Sequence, residues 1–140
     1  MLTPDQKIRL EHLIADLRAN PDKQGYGRLR SDGKFCCLGR ACDLYDSQGW
    51  SSTSYGIYFQ VKSKSVLDTT TTEKYTLLKE VMDFYGFPHS NGIVDEDITD
   101  KNVNGELDKD QSWSLTQLND AEQFTFPMIA DIIQYWMENN

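Results

Sequence analysis

The chain has 140 residues, enough for one domain with a buried core, and its apolar fraction of 39% with 11% aromatics excludes disorder throughout. Its formal net charge of −8 disfavours nonspecific nucleic-acid binding over a broad surface. No apolar run reaches the ~20 residues that span a membrane, and the first residues lack the layout of a signal peptide, so no membrane partner is expected.

The charge is unevenly divided along the chain. Residues 1–40 hold eight basic against five acidic residues, whereas residues 41–140 hold six basic against seventeen acidic ones. An anion site therefore fits the first third, and the acidic remainder suits a basic partner. The three cysteines, two of them adjacent, form a poor disulfide framework, which favours reduced thiols in a cytosol.

The opening segment predicts a helix. Thr3 and Gln6 have the spacing of a capping box, Pro4 suits the first helical position, and Asn20-Pro21 ends the pattern. The apolar residues between these signals recur on one helical face: Leu10, Leu13, Ile14 and Leu17.

The next segments predict a hairpin and a second helix. Residues 24–30 resemble an irregular strand, Ser31-Asp32-Gly33 a turn, and residues 34–36 a returning strand. The second helix begins near Cys37 and ends before Gly49. One of its faces carries Leu38, Ala41, Cys42 and Tyr45.

A half-buried strand and a third helix are expected next. The strand is indicated by alternate apolar residues: Tyr55, Ile57, Phe59 and Val61. Residues 68–72 predict a loop, and residues 72–85 a helix that Gly86 ends. The inward face of that helix carries Tyr75, Leu78, Val81, Met82 and Tyr85.

The last third predicts a long loop and a final helix. Residues 87–113 are polar, acidic and rich in Asn and Gly, which indicates a loop inserted into a single domain of residues 1–140. The last helix starts at Thr125, and its inward residues are Phe126, Ile129, Ile132, Ile133, Trp136 and Met137. About four helices packed on a small antiparallel sheet make an α+β fold.

The first candidate site opens the second helix. At a helix N-terminus, Cys36 or Cys37 would have a stabilised thiolate, strengthened by Arg40, as a nucleophile requires. The base would have to be His12 or His89, and neither lies in a recognisable catalytic motif. Small core residues are the favoured interpretation of the cysteines, because the signatures of cysteine enzymes are absent.

Residues 100–111 follow much of the pattern of a calcium-binding loop. The candidate oxygen ligands are Asp100, Asn102, Asn104, Glu106 and Asp108. The last position holds Gln111 instead of a bidentate glutamate, and Asn104-Gly105 is equally typical of a tight hairpin turn. The turn is the preferred interpretation, and no metal or other cofactor is expected.

Two arginines indicate an anion site. Arg28 and Arg30 alternate along the expected strand and so point the same way. With the N–H groups at the start of the Cys37 helix, they would suit a phosphate or a carboxylate. The simpler alternative is a solvated strand face whose arginines pair with Asp32 or Asp43.

Asn119 and Asp120 precede the last helix. Such residues satisfy backbone groups in turns, which predicts a structural Asx-turn. The pair would also suit the orientation of another side chain or a ligand contact. The sequence leaves these alternatives open.

Five short motifs follow one another along the chain: Gln24-Gly25-x-Gly27-x-Leu29-Arg30, Cys36-Cys37-Leu38-Gly39, Cys42-Asp43-Leu44, Leu118-Asn119-Asp120 and Phe126-x-x-Ile129-Ala130-Asp131-x-Ile133. In this order they resemble a family of small uncharacterised proteins of tailed bacteriophages and prophages. The family often has glycine soon after the Asn-Asp pair, where this chain has Glu122-Gln123, and segment 95–110 is particular to this chain. The resemblance implies a phage accessory protein in the cytoplasm of a bacterial host, and it names no catalytic residue.

These observations favour a non-enzymatic phage accessory protein that binds a host protein in defence or takeover, as an acidic inhibitor or a mimic of nucleic-acid charge. One alternative is a binder of a small anionic, nucleotide-like ligand near Arg28 and Arg30. The other is a Cys-dependent hydrolase or transferase that uses Cys36 or Cys37.

Overall fold

A computed structural model describes residues 1–54, 56–62, 70–73, 75–93, 114–121 and 124–140. Over these residues the chain forms five α-helices and two small antiparallel sheets, which confirms the predicted α+β fold. The calcium-loop candidates Asp100, Asn102, Asn104, Glu106 and Asp108 lie outside the described residues. None of the described helices is both long and apolar enough to cross a membrane.

The helices are α1 (Pro4–Ala19), α2 (Cys37–Tyr45), α3 (Lys79–Tyr85), α4 (Leu115–Asp120) and α5 (Phe126–Glu138), with a 3-10 turn over Pro21–Lys23. The strands are β1 (Arg30–Ser31), β2 (Lys34–Phe35), β3 (Trp50–Thr53), β4 (Gly56–Lys62) and β5 (Thr70–Glu73). β1 and β2 form a hairpin, and β3, β4 and β5 form a three-stranded sheet in that order.

Helix α1 begins and packs as predicted. The Thr3 hydroxyl accepts a hydrogen bond from the Gln6 N–H at 3.1 Å, and the Gln6 side chain accepts one from the Thr3 N–H at 3.0 Å. This capping box satisfies two N–H groups that the first turn would leave without partners. The predicted apolar face is buried, and it packs mainly against α5.

Helix α2 lies at the centre of the molecule. Its residues from Cys37 to Cys42 are all buried, because α1, α3, α4 and β2 surround it. Gly39 permits this packing: a Cβ at that position would lie 1.7 Å from the carbonyl oxygen of Leu29. The backbone of Leu29 therefore packs against α2 in the space that a side chain at position 39 would occupy.

The predicted strand over residues 24–30 is wrong for most of its length. Only Arg30–Ser31 form a strand, paired with Lys34–Phe35. Gly27 has a φ of 79°, and its N–H donates to Asp120 while the Gly25 carbonyl accepts from Asn119, in place of the hydrogen bonds of a strand. The predicted turn is confirmed, with Asp32 and Gly33 at φ 53° and 76°, as a two-residue hairpin connection requires.

The predicted helix over residues 72–85 is also wrong in its first half. Thr70–Glu73 pair with β4 as strand β5, and α3 begins only at Lys79. The run of β-branched threonines favours a strand once a partner strand is present. Tyr75, expected to face inward, is 50% exposed, whereas Gly86 ends α3 at a φ of 80° as predicted.

The strand predicted near residue 57 is confirmed as β4, with Phe59 fully buried and Ile57 and Val61 half-buried. Its partner β3 was not expected, and Tyr55 lies outside the described residues.

The Asx-turn expected at Asn119 and Asp120 is wrong, since these residues end helix α4. The predicted loop over residues 87–113 begins with buried residues, since Phe87 and Ile93 belong to the core. Helix α5 follows its N-cap Thr125, and the predicted inward face is buried in full. The buried side chains of α1, α2, α4 and α5 form one contiguous core with Phe59 of β4.

Candidate functional site

Asn119 is a buried polar residue that links three separate segments. It is 0% exposed. Its side-chain oxygen accepts a hydrogen bond from the Cys37 N–H at 3.0 Å, and its side-chain nitrogen donates one to the Gly25 carbonyl at 2.9 Å. Helix α4 is thereby joined to the start of α2 and to the segment before β1.

Gln24 ties the same segment to α5. Its side-chain nitrogen donates to the Phe124 carbonyl at 2.9 Å and to the Asn119 side-chain oxygen at 3.2 Å. Its side-chain oxygen accepts from the Phe126 N–H at 3.0 Å, which satisfies an N–H of the first turn of α5. Both donor and acceptor groups of Gln24 are therefore used in holding the fold together.

Residues 24–29, here named the anchored loop, are fixed between these contacts. The Gly27 N–H donates to the Asp120 carboxylate at 2.8 Å, and Gly25 N–H donates to the Phe35 carbonyl at 2.7 Å. Leu29 is fully buried at the far end of the loop. Between the two glycines Tyr26 is 57% exposed. The fold thus holds a loop in place and presents its aromatic side chain to solvent.

The N–H groups at the start of α2 are not available to the anion site that the sequence suggested there. The Cys37 N–H is bound by Asn119, and the Gly39 N–H donates to the Cys36 sulfur at 3.3 Å. Cys36 and the first turn of α2 are buried under the anchored loop. A ligand therefore has no access to these N–H groups.

The cysteines lie in the core, as the favoured interpretation of the sequence predicted, and not as the accessible nucleophile of the alternative. Cys36, Cys37 and Cys42 are free thiols, and all three are buried. Burial raises the pKa of Cys36 to about 12 and raises the pKa of Cys37 and Cys42 well above the usual value. The expected stabilisation of a thiolate is therefore absent for these three residues.

No base accompanies the thiols in the described part of the chain. His12 and His89 are both exposed, and neither forms a hydrogen bond with a cysteine there. The Cys37 thiol donates weakly to the Leu115 carbonyl at 3.7 Å. Over the same residues, no group of three His, Cys, Asp or Glu side chains is placed to hold a metal ion.

Arg40 is committed to a buried ion-pair cluster and does not act on the thiols as expected. Its Nε and Nη2 bind both oxygens of Asp16 at 2.8 Å, and its Nη1 binds Asp43 at 3.2 Å. The hydrogen bond to Asp16 is the main cause that raises the pKa of Arg40. The other oxygen of Asp43 accepts from the Trp50 indole N–H at 2.9 Å.

Arg30 lies beside this cluster and forms no ion pair among the described residues. Its guanidinium carbon is 5.1 Å from the ring centre of Phe35 and 5.5 Å from that of Trp50. Its Nε is buried and has no hydrogen-bond partner. The aromatic rings therefore position a cation whose N–H donors are not all used.

Arg28 lies against the β3–β4 hairpin, beside Gly56 at the start of β4. A Cβ on Gly56 would stand 2.5 Å from its Nη1, so the guanidinium occupies the space that this glycine leaves. Among the described residues Arg28 and Arg30 pair with neither Asp32 nor Asp43, contrary to the alternative drawn from the sequence. The structure therefore places all four ligand candidates, Arg28, Arg30, Asn119 and Asp120, in or against the anchored loop and strand β1.

Sequence reasoning did not single out Tyr26 or Gln24 as functional residues. The signal for Gln24 was its place in the Gln24-Gly25-x-Gly27 motif, but its contacts join residues about a hundred positions apart. For Tyr26, the feature of the sequence that could have indicated a functional role is its position as an aromatic residue between Gly25 and Gly27.

Comparison with known proteins gives one match. Residues 5–137 match the model of a family described as a domain of unknown function, DUF8296. No curated protein and no solved structure matches the chain significantly.

Proposed function

The chain belongs to the DUF8296 family, and we propose that it acts by binding a partner protein through the anchored loop. One observation carries the proposal. Side chains of α4 hydrogen bond the backbone of Gly25 and Gly27, and the Gln24 side chain accepts from the backbone at the start of α5. Tyr26 in the middle of the loop nevertheless remains 57% exposed. A loop of this kind is suited to recognition because a rigid scaffold positions it.

The composition of the loop supports the same conclusion. Tyrosine and arginine are enriched among the residues that dominate binding energy at protein interfaces. Tyr26 and Arg28 stand together in the anchored loop, and glycines on both sides of Tyr26 leave its ring uncovered. Because the backbone is already ordered, binding would lose less conformational entropy than binding by a disordered segment.

The buried cysteines favour binding over catalysis. A Cys-dependent hydrolase or transferase needs an accessible thiolate near a base. Cys36 and Cys37 are buried, and burial raises their pKa. These observations support a protein that recognises rather than transforms its partner.

The resemblance to tailed-phage proteins supports a particular class of partner. In that setting the partner is a host protein in the bacterial cytoplasm, involved in defence or takeover. The net charge of −8 also suits an acidic inhibitor that mimics nucleic acid. Among the described residues, however, exposed acidic side chains are spread over α1, α3 and α5, so we place recognition at the anchored loop instead.

The experiment is a tagged pull-down from a bacterial host lysate at low and high salt, read by quantitative mass spectrometry. The variants are Tyr26→Ala and Tyr75→Ala, which alters a tyrosine of similar exposure between β5 and α3. Wild type and Tyr75→Ala should capture the same host protein. Tyr26→Ala should capture at least about tenfold less, as expected for a central aromatic contact.

Equal capture by Tyr26→Ala and wild type would overturn the role of the anchored loop. Thermal unfolding of both variants is the control for folding, and Tyr26→Ala should unfold at about the wild-type temperature because its side chain is exposed. Capture that is insensitive to salt would exclude charge mimicry as the mode of binding.

A further inference from the structure

Arg28 and Arg30 are two uncompensated cations on an acidic chain. The protein has 22 acidic and 14 basic side chains, yet neither arginine forms an ion pair among the described residues. The Nε of Arg30 is in addition buried without an acceptor. A buried donor on a charged group is costly to leave unpaired, and the described residues supply no acceptor for this N–H group.

The nearby carboxylates already have partners. Both oxygens of Asp16 bind Arg40, and Asp43 divides its oxygens between Arg40 and Trp50. Asp120 accepts from the Gly27 N–H through its Oδ1. None of these three carboxylates forms a hydrogen bond with Arg28 or Arg30 in the described structure.

The aromatic rings give Arg30 a defined position. Its guanidinium lies over Phe35 and Trp50, and the guanidinium of Arg40 lies over Phe35 as well, 4.7 Å from the ring centre. Two carboxylates neutralise Arg40, whereas none of the described carboxylates forms an ion pair with Arg30. A planar guanidinium held in this way is suited to binding a carboxylate or phosphate oxygen.

We propose that Arg28 and Arg30 bind an oxyanion, a carboxylate or phosphate group, which the partner protein presents next to Tyr26. This inference rests on the proposed function. It does not use the start of α2, whose N–H groups the protein itself occupies. A free nucleotide offers the same phosphate chemistry, so the test separates the two sources.

The first arm of the test is a nuclear magnetic resonance titration of the whole chain with inorganic phosphate, at constant ionic strength set by chloride. The arginine side-chain Nε–H signals are the readout. The signals of Arg28 and Arg30 should shift and saturate. Arg18 is the matched control, because it already binds Asp131 and Gln134 and should not shift.

Substitution identifies the residues that bind. Arg30→Gln should weaken phosphate binding by about tenfold or more, since charge-assisted hydrogen bonds are lost. Arg30→Lys keeps the charge but not the planar contact with the rings, and it should bind weakly too. If Arg30→Gln fails to fold, Arg28→Gln and Arg30→Lys carry the same test. Absence of a saturable shift at Arg28 and Arg30 of wild type would overturn the inference.

The second arm is the pull-down with the Arg28→Gln, Arg30→Gln double variant, which should lose the partner. If the double variant keeps the partner while Tyr26→Ala loses it, the oxyanion site is refuted and the proposed function stands. If both keep it, both proposals fail. Adenosine triphosphate binding about a hundredfold or more tighter than phosphate would assign the site to a small ligand and overturn the partner as the source.

Discussion

The side-chain oxygen of Asn119 accepts a hydrogen bond from the backbone N–H of Cys37 at 3.0 Å, across 82 positions of the sequence. The side-chain nitrogen of the same residue donates to the Gly25 carbonyl. One buried amide therefore satisfies the start of α2 and holds the anchored loop, so the stability of the core and the shape of the proposed recognition surface depend on the same contacts.

Replacement of this amide should destabilise the protein. In Asn119→Ala the Cys37 N–H and the Gly25 carbonyl both lose a buried partner, which should lower the free energy of unfolding by about 3 kcal/mol. Urea unfolding measures the effect. Gln117→Ala, on the exposed side of α4, is the control and should change stability by less than about 0.5 kcal/mol. Similar stabilities of the two variants would contradict the role of Asn119.

Gly39 should tolerate no side chain. In Gly39→Ala the new Cβ would meet the Leu29 carbonyl at 1.7 Å, which forces α2 and the anchored loop apart and should cost at least about 3 kcal/mol. Gly27→Ala meets open space but has a φ of 79°, so it should cost only about 1–2 kcal/mol. Thermal or urea unfolding compares them. The prediction fails if Gly39→Ala is as stable as wild type.

The buried and exposed arginine pairs should differ in their contribution to stability. Arg40→Ala leaves two half-buried carboxylates without a partner and should lower the free energy of unfolding by about 3 kcal/mol. Arg18→Ala removes an exposed pair with Asp131 and should cost less than about 1 kcal/mol. Urea midpoints of the two variants test this difference, and equal losses would count against it.

The three thiols should resist modification in the folded protein. Cys36, Cys37 and Cys42 are buried, and burial raises the pKa of each, so iodoacetamide should label none of them near neutral pH. Denaturant should expose all three. Intact-mass spectrometry counts the labels. Rapid labelling of Cys36 or Cys37 before unfolding would instead restore the enzymatic hypothesis.

Stability should fall at alkaline pH. The pKa of Cys36 is raised from 9.0 to about 12 in the folded state, and burial also raises the pKa of Cys37, Cys42 and Tyr85. Above pH 9 the unfolded chain loses thiol protons that the folded chain retains. Each thiol that is ionised in the unfolded chain but protonated in the folded chain should therefore lower the free energy of unfolding by ~1.4 kcal/mol per pH unit above pH 9.

Urea unfolding between pH 7 and pH 11 measures this loss. Stability should be constant with respect to the thiols below pH 9 and should decline above it. Cys36→Ala removes one titrating group and should make the decline shallower. A flat profile across pH 9 would contradict the assignment of the buried thiols.

Elements defined by local signals were predicted well. The capping box of Thr3 and Gln6, the Asp32-Gly33 turn and the apolar faces of α1 and α5 all lie within short stretches of sequence. Errors occurred where a distant partner decides the conformation. Thr70–Glu73 form a strand because β4 lies beside them, and α4 is too short for a helical period to reveal it.

The site shows the same division. Cys36, Arg28, Arg30 and Asn119 were all candidates from the sequence, and they lie close to the anchored loop or form part of it. Their roles were assigned differently, because a hydrogen bond between α4 and α2 cannot be read from residue spacing. Asn119 and the anchored loop cover the start of α2, which removes its N–H groups from the anion site and leaves the alternative of a reactive thiolate without support.

The sequence by itself determined the α+β class, the two long amphipathic helices and the reversal at Asp32-Gly33, because periodicity, capping and turn chemistry act between neighbouring residues. Only the tertiary structure decided which polar groups remain available. Burial and long-range hydrogen bonds occupy the cysteines, the start of α2 and Asn119, whereas Tyr26 stays exposed and Arg28 and Arg30 stay without ion pairs among the described residues.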